Sequence, residues 1–140
     1  NLYQASRAAS YLFFGPRPAV KPDGFLIVAA PCDEGAGDGV GEQRFLKAMQ
    51  DAADVQFILD DARQHGYPPG QQRAFVLAKV LERNDVIMVG TEDPELIRSA
   101  KFLTAPTMDA AFAMAGEKLG GDLDALIVPH ALMTLPIVQD

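Results

Sequence analysis

Three side chains near the start of the chain have the types and the spacing to hold a small hydroxy acid. Tyr3 and Arg7 are four positions apart and Gln4 and Arg7 are three apart, so a helix would project a phenol, an amide and a guanidinium from one face. An arginine holds a carboxylate through two parallel hydrogen bonds, and the amide and the phenol can bond a hydroxyl or the second oxygen. From spacing alone, a solvated helix face is still the favoured interpretation of these residues.

A glycine-rich loop, PCDEGAGDGVG at positions 31–41, is the second candidate site. Its glycines would let backbone amides approach a phosphate at the start of a helix: Gly35, Gly37, Gly39 and Gly41. However, the spacing matches neither the dinucleotide-binding pattern G-x-G-x-x-G nor the P-loop pattern, and Asp33, Glu34 and Asp38 lie where phosphate would bind. A turn that needs positive φ is therefore favoured over a nucleotide site.

The cysteine and the two histidines do not form a recognisable catalytic or metal centre. Cys32 follows a predicted strand, but its acidic neighbours would not activate a thiolate, so we expect a small buried thiol. His65 and His130 lie far apart in sequence, outside the spacing of paired metal ligands, so we expect both at the surface or at a strand end. The sequence therefore predicts no catalytic residue and no metal ligand in this chain.

Length and composition favour one globular domain. The chain has 140 residues, 49% of them hydrophobic and 22% charged, a size at which about two-thirds of the unfolded surface is buried on folding. The formal net charge of −7 argues against nucleic acid and anionic membranes as partners, and no apolar stretch reaches the roughly 18 residues of a membrane helix. A single cysteine excludes an internal disulfide framework, so we expect a cytoplasmic protein.

Predicted helices and strands alternate along the chain. Continuous apolar runs predict three buried strands, at 25–30, 85–90 and 125–129, and the tail at 132–140 could add a short edge strand interrupted by proline. Apolar periodicity, together with the caps Asp93 and Thr107, predicts helices at 2–14, 42–52, 55–63, 71–83, 94–101 and 108–119, and a loop at 15–24. This alternation predicts a single-domain α/β fold, with a mainly parallel sheet and helices on both faces.

Four stretches, in this order, resemble one enzyme family over essentially the whole chain: NLYQASRA, PDGFLIVAAPCDEGAG, AKVLERNDVIMVG and APTMDAAFAMAGEKLGGDLDALIVP. They are similar to the C-terminal domain of nickel-pincer-nucleotide-dependent lactate racemase and its relatives. Many of the matching stretches are generic for α/β proteins. Within them, the YQA-x-basic helix alone is tied to the chemistry of the family.

The resemblance implies that residues 1–140 are the C-terminal domain of a two-domain enzyme, which inverts the hydroxyl-bearing carbon of 2-hydroxy acids in the cleft between its domains. It also implies a nickel-pincer nucleotide, which is held by an N-terminal domain absent from this chain. That domain would supply the lysine tethered to the cofactor, the histidine bound to nickel and the two histidines that act as acid and base. The implied reaction is hydride transfer to the pincer ring while a histidine takes the hydroxyl proton, followed by return of the hydride to either face. We therefore expect this domain alone to bind no cofactor and no nickel.

The resemblance also implies that the first helix contacts substrate. The family's Tyr-Gln-Ala-x-Lys run falls on positions 3–7, where Tyr3, Gln4 and the basic residue help to bind substrate. Arg7 replaces the lysine, so the charge is kept but a point cation becomes a planar fork. The family's cleft also has a tryptophan near the start of the helix that begins here around 71–72, and this chain has no tryptophan. Both departures favour a larger or more polar 2-hydroxy acid than lactate. We expect the three side chains on one exposed face, with Arg7 outside any internal salt bridge.

Two alternatives fit the sequence without this chemistry. A free-standing α/β domain could use the glycine loop to bind a small molecule or a nucleotide, and a non-catalytic interaction domain would need no such site. The chain starts inside a predicted helix, with no initiator methionine or signal segment, so we expect it to be part of a longer protein. An upstream stretch of about 250–300 residues with a histidine-rich metal segment would support the racemase, whereas a methionine directly before Asn1 would support a free-standing module.

Overall fold

The sheet and its covering helices are defined by a computed structural model that describes residues 1–15 and 17–137. The described residues form the following elements in chain order: α1 (Leu2–Phe13), β1 (Phe25–Ala29), α2 (Val40–Asp51), α3 (Val55–His65), α4 (Gln72–Leu81), β2 (Asp85–Val89), α5 (Pro94–Ser99), β3 (Leu103–Ala105), α6 (Met108–Leu119) and a 3-10 turn (Ala131–Met133). No helix among them is long and apolar enough to cross a membrane.

The three strands form one parallel sheet in the order β1-β2-β3. Ile27 lies opposite Ile87 in the first pair, and Met88 lies opposite Thr104 in the second. Successive side chains of a strand point to opposite faces, so β1 and β2 each contribute to two separate cores, whereas β3 contributes Ala105 to one of them.

Helices cover both faces of this sheet, but unequally. One core joins strand residues to five helices and contains, among others, Leu26, Val86, Met88, Leu2, Phe45, Leu59, Leu77 and Ile97. On the other face, the smaller core of Ile87, Val89 and Ala105 includes Ala111 of α6. The predicted α/β fold with a parallel sheet and helices on both faces is confirmed.

The third strand is not where the sequence predicted it. β3 is Leu103–Ala105, whereas the described segment 125–129 contains no helix or strand, and its Leu126 and Ile127 are 69% and 81% exposed. β3 was missed because three residues are too few for an apolar run to stand out. Segment 125–129 was overpredicted because apolar composition suits a strand but does not create a pairing partner.

The predicted edge strand in the tail is also absent from the part of the tail that the structure describes. The 3-10 turn Ala131–Met133 lies at its start, residues 134–137 form no strand, and residues 138–140 lie outside the described residues. Pro136 removes a backbone donor that a strand ladder would use. The predicted loop at 15–24 is confirmed for its described residues, while Pro16 lies outside them.

Helix α1 carries two buried serines whose hydroxyls bond to the helix's own backbone. Ser6 and Ser10 are buried, and their hydroxyls donate to the carbonyl oxygens of Tyr3 and Arg7 at 3.0 Å and 2.9 Å. A buried hydroxyl with such a partner avoids most of the cost of leaving water. The face of α1 that carries serines can therefore pack closely against its neighbours.

Candidate functional site

The start of α1 is anchored to the glycine-rich loop. The Asn1 side-chain oxygen accepts the Gln4 backbone N–H at 3.1 Å, and its amide nitrogen donates to Glu34 at 3.1 Å and to Glu42 at 3.2 Å. The backbone N–H of Leu2 donates to the Gly35 carbonyl at 2.7 Å. These bonds satisfy donors that a helix start leaves unpaired, and they set the position of Gln4 and the residues after it.

The loop itself is occupied by a carboxylate of the chain. The Gly39 backbone N–H donates to Glu42 Oε2 at 2.8 Å, and Gly37 has φ +96°, where an added Cβ would lie 2.2 Å from the same oxygen. Glu42 therefore fills the space at the start of α2 that a phosphate would need. The glycines serve a turn and a close approach, and the loop orients α1 rather than binding a nucleotide.

Arg7 is oriented by two hydrogen bonds along α1. Its Nη1 donates to Gln4 Oε1 at 2.9 Å, and its Nη2 donates to the Tyr11 hydroxyl at 2.5 Å. Among the described residues, no carboxylate lies within 4.0 Å of its guanidinium nitrogens. The structure thus brings Gln4 and Arg7 together as the spacing predicted, and it adds Tyr11, which the sequence analysis did not single out.

Tyr3 is held on the inner side of the same helix. Its ring packs edge to face against Phe45, with centroids 5.5 Å apart, and the Arg73 guanidinium carbon lies 5.4 Å from the centroid of the Tyr3 ring. Gln4 is exposed as expected, but Tyr3 and Arg7 are half-buried. The difference arises because α4 packs against α1 and brings Arg73 over this surface, a contact between helices that spacing within α1 cannot reveal.

Tyr11 carries a perturbed phenol because of this arrangement. The hydrogen bond from Arg7 lowers the pKa of Tyr11, burial opposes that change, and the charges of Arg7 and Arg73 lower it further. We expect Tyr11 to ionise below the usual tyrosine value of about 10, and Arg7→Met to raise its pKa, because the phenolate loses its donor. Ultraviolet titration of tyrosinate, with Tyr11→Phe identifying the transition, measures both. A transition that Arg7→Met leaves unmoved would contradict this assignment.

Cys32 is a buried thiol, as predicted. It is 5% exposed, and burial raises the pKa of its thiol, with Asp33 adding to the effect. Since the thiolate is the nucleophile, we expect iodoacetamide at pH 8 to alkylate the folded protein more slowly than the urea-unfolded protein. Mass spectrometry over time gives both rates, and equal rates would show that Cys32 is accessible.

The two histidines lie apart and at the surface, as expected. His65 Nδ1 lies 2.9 Å from an Asp61 carboxylate oxygen one helical turn earlier, and His130 is exposed with φ +55°. Within the ranges 1–15 and 17–137, no three His, Cys, Asp or Glu side chains converge so that they could hold a metal ion. The polar cluster of Gln4, Arg7 and Tyr11 on α1 is thus the candidate site.

Comparison with known proteins points to one family. The family model for the lactate racemase C-terminal domain matches residues 1–135. Among solved structures, the lactate racemase apoprotein from Thermoanaerobacterium thermosaccharolyticum is similar, with a TM-score of 0.70 and 26% sequence identity over 86% of this chain and 28% of that one. No curated protein matches the chain. The chain therefore spans less than a third of the length of that solved structure.

Proposed function

Since the chain belongs to the lactate racemase C-terminal domain family, as its sequence resemblance predicted, we propose that it is the substrate-contacting domain of a 2-hydroxy acid racemase or epimerase. The enzyme inverts the hydroxyl-bearing carbon of its substrate in a cleft between this domain and an N-terminal domain. The share of the racemase apoprotein that the chain matches, 28%, supports the presence of such a further domain.

The geometry of Arg7 is the observation that carries the substrate role. Both terminal nitrogens of Arg7 already donate once, to Gln4 and to Tyr11, and each carries a second hydrogen. With no carboxylate of the described residues within 4.0 Å, those hydrogens are available to an incoming carboxylate. Arg7 therefore binds the substrate carboxylate. Gln4 and Tyr3 lie next to the other oxygens of the substrate or form hydrogen bonds with them.

The described residues do not fit the nickel-pincer nucleotide that the resemblance implies. They provide no converging set of metal ligands, and Glu42 fills the glycine loop where a nucleotide phosphate would lie. We therefore place the cofactor, and the hydride and proton transfers that the resemblance implies, in the N-terminal domain. This chain binds and orients the substrate. We place the enzyme in the cytoplasm, because a lone cysteine cannot form the disulfide framework common in secreted domains.

Racemisation by the intact enzyme tests the proposal. The full-length protein, prepared with its cofactor, is given one enantiomer of each of a panel of 2-hydroxy acids, and chiral chromatography follows the other enantiomer. We expect inversion of at least one acid, and we expect a substrate deuterated at the reacting carbon to keep its label, because hydride return does not exchange with water. The cofactor-free protein is the control. Failure to invert any member of the panel would contradict the function.

The isolated domain provides a separate prediction about nickel. Residues 1–140, produced without a histidine tag, should retain no stoichiometric nickel after dialysis and should invert no 2-hydroxy acid, because the chain has two histidines and one cysteine without ligand spacing. Elemental analysis of the purified protein measures the metal. Near-equimolar nickel that resists dialysis would place the metal site in this domain instead.

A further inference from the structure

A second guanidinium, that of Arg73, lies beside the polar cluster on α1. Arg73, at the start of α4, donates from Nη1 to Ser10 Oγ of α1 at 3.2 Å, and its guanidinium carbon lies 5.4 Å from the Tyr3 ring centroid. The charges of both Arg7 and Arg73 act on the Tyr11 hydroxyl. Two cations from two helices therefore face one small polar surface.

Neither cation is neutralised by an acid of the described chain. Acidic residues outnumber basic ones, 19 to 12, and ion pairs form at other basic residues, including Lys47, Arg63 and Arg98. No described carboxylate lies within 4.0 Å of Arg7 or Arg73, and Nε of each is buried without a hydrogen-bond partner. Half-buried like charges repel each other, and a bound anion would offset this repulsion because both cations attract it, so this surface favours a ligand that brings negative charge.

An open depression beside these residues has room for such a ligand. Its volume is about 350 Å³, and its lining includes Tyr11, Arg73, Val76 and Leu135. Small-molecule sites usually range from about 300 to 1,000 Å³. The depression has a cation and a phenol among its lining groups and apolar side chains beside them, a combination that suits a short carbon chain with an anionic end.

We infer that Arg73 is a second anion-binding group of this site, and that the substrate is a 2-hydroxy acid with a second carboxylate. Arg7 binds the carboxylate next to the reacting carbon, and Arg73 binds the distal carboxylate in the depression. Arg73 therefore determines specificity between dicarboxylic and monocarboxylic acids. The inference rests on the proposed function for its reaction, but not for its binding site.

Three acids separate the effect of a substrate's charge from the effect of its size. Lactate has one carboxylate; compared with lactate, glycerate has an additional hydroxyl and malate has a second carboxylate. In the full-length enzyme we expect malate to have the highest kcat/KM. Arg73→Gln should lower kcat/KM for malate by about 10- to 150-fold, the range for losing one hydrogen bond to a charged group, and should change lactate and glycerate by less than about threefold. Arg73→Lys keeps the charge and should restore part of the loss. Arg83→Gln is the matched control, because Arg83 is exposed.

Calorimetric titration of the cofactor-free full-length protein gives a readout that does not need catalysis. We expect malate to bind more tightly than lactate, with the difference lost in Arg73→Gln. If this difference is found and no acid is inverted, the anion site stands and the proposed reaction fails. If the protein binds lactate or glycerate more tightly than malate, or if Arg73→Gln weakens the binding of all three acids equally, the inference is overturned and the proposed function stands. Absence of binding to any of the three acids would also overturn it.

Discussion

Replacing Arg7 by alanine in the full-length enzyme will lower kcat/KM for its best 2-hydroxy acid by about 10- to 150-fold. A hydrogen bond to a charged group contributes about 1.5–3 kcal/mol, which corresponds to that range. Arg7 is pre-oriented by Gln4 at 2.9 Å and Tyr11 at 2.5 Å, so its loss removes a positioned fork rather than a mobile side chain. If ground state and transition state use the carboxylate contact equally, the loss will lie mainly in KM.

Two further variants identify what Arg7 contributes. Arg7→Lys should recover part of the loss, because lysine keeps the charge but cannot offer the planar fork. Arg83→Ala removes an exposed arginine from the same chain and should leave the kinetics unchanged. Racemisation rates over a panel of 2-hydroxy acids measure all three variants. Unchanged kinetics of Arg7→Ala on the best substrate would return this helix face to an ordinary solvated surface.

Replacing Phe45 by alanine should lower the free energy of unfolding of residues 1–140 by about 3–5 kcal/mol, the usual range for removing a large aromatic side chain from a core. Phe45 is 0% exposed and packs edge to face on Tyr3 at 5.5 Å. Its removal leaves a cavity that helices α1 and α2 can close only in part. Since Tyr3 loses its support, the variant should also weaken substrate binding in the full-length enzyme.

An exposed phenylalanine provides the matched control for this change. Phe57 is 55% exposed, so Phe57→Ala should cost about 1 kcal/mol or less. Urea unfolding followed by circular dichroism measures both variants, with constant m values showing that the transitions are comparable. If Phe45→Ala and Phe57→Ala lower the free energy of unfolding equally, the structural indication that Phe45 holds α1 to the core is wrong.

Local signals predicted the starts of two helices because their stabilising bonds close within one turn. The Asp93 side chain accepts the Leu96 N–H, and the Thr107 side chain accepts the Ala110 N–H, so α5 and α6 begin where these caps predict. The long apolar runs similarly predicted β1 and β2 to within one residue at their C-terminal ends. A buried strand in a parallel sheet needs apolar side chains on both faces, and that requirement is visible in the sequence.

Signals of this kind failed where a contact depends on another element. The three-residue strand β3 exists because its backbone pairs with β2, and the apolar segment at 125–129 has no strand pairing in the described structure. The contact in the glycine loop was missed for a different reason: Glu42, which fills the loop, lies only three residues after Gly39, and the sequence analysis did not consider this local capping contact.

The sequence by itself determined the α/β class, the family resemblance and the contact between Gln4 and Arg7 on α1, since these depend on periodicity and on side chains within one helical turn. The tertiary structure alone decided that Arg73 reaches α1, where it meets Ser10 across 63 positions of the chain. The physical reason is the separation along the chain between the residues that interact. Helical periodicity and caps act over three or four residues, whereas two cations meet on one surface only after the packing of α1 against α4 has brought distant side chains together.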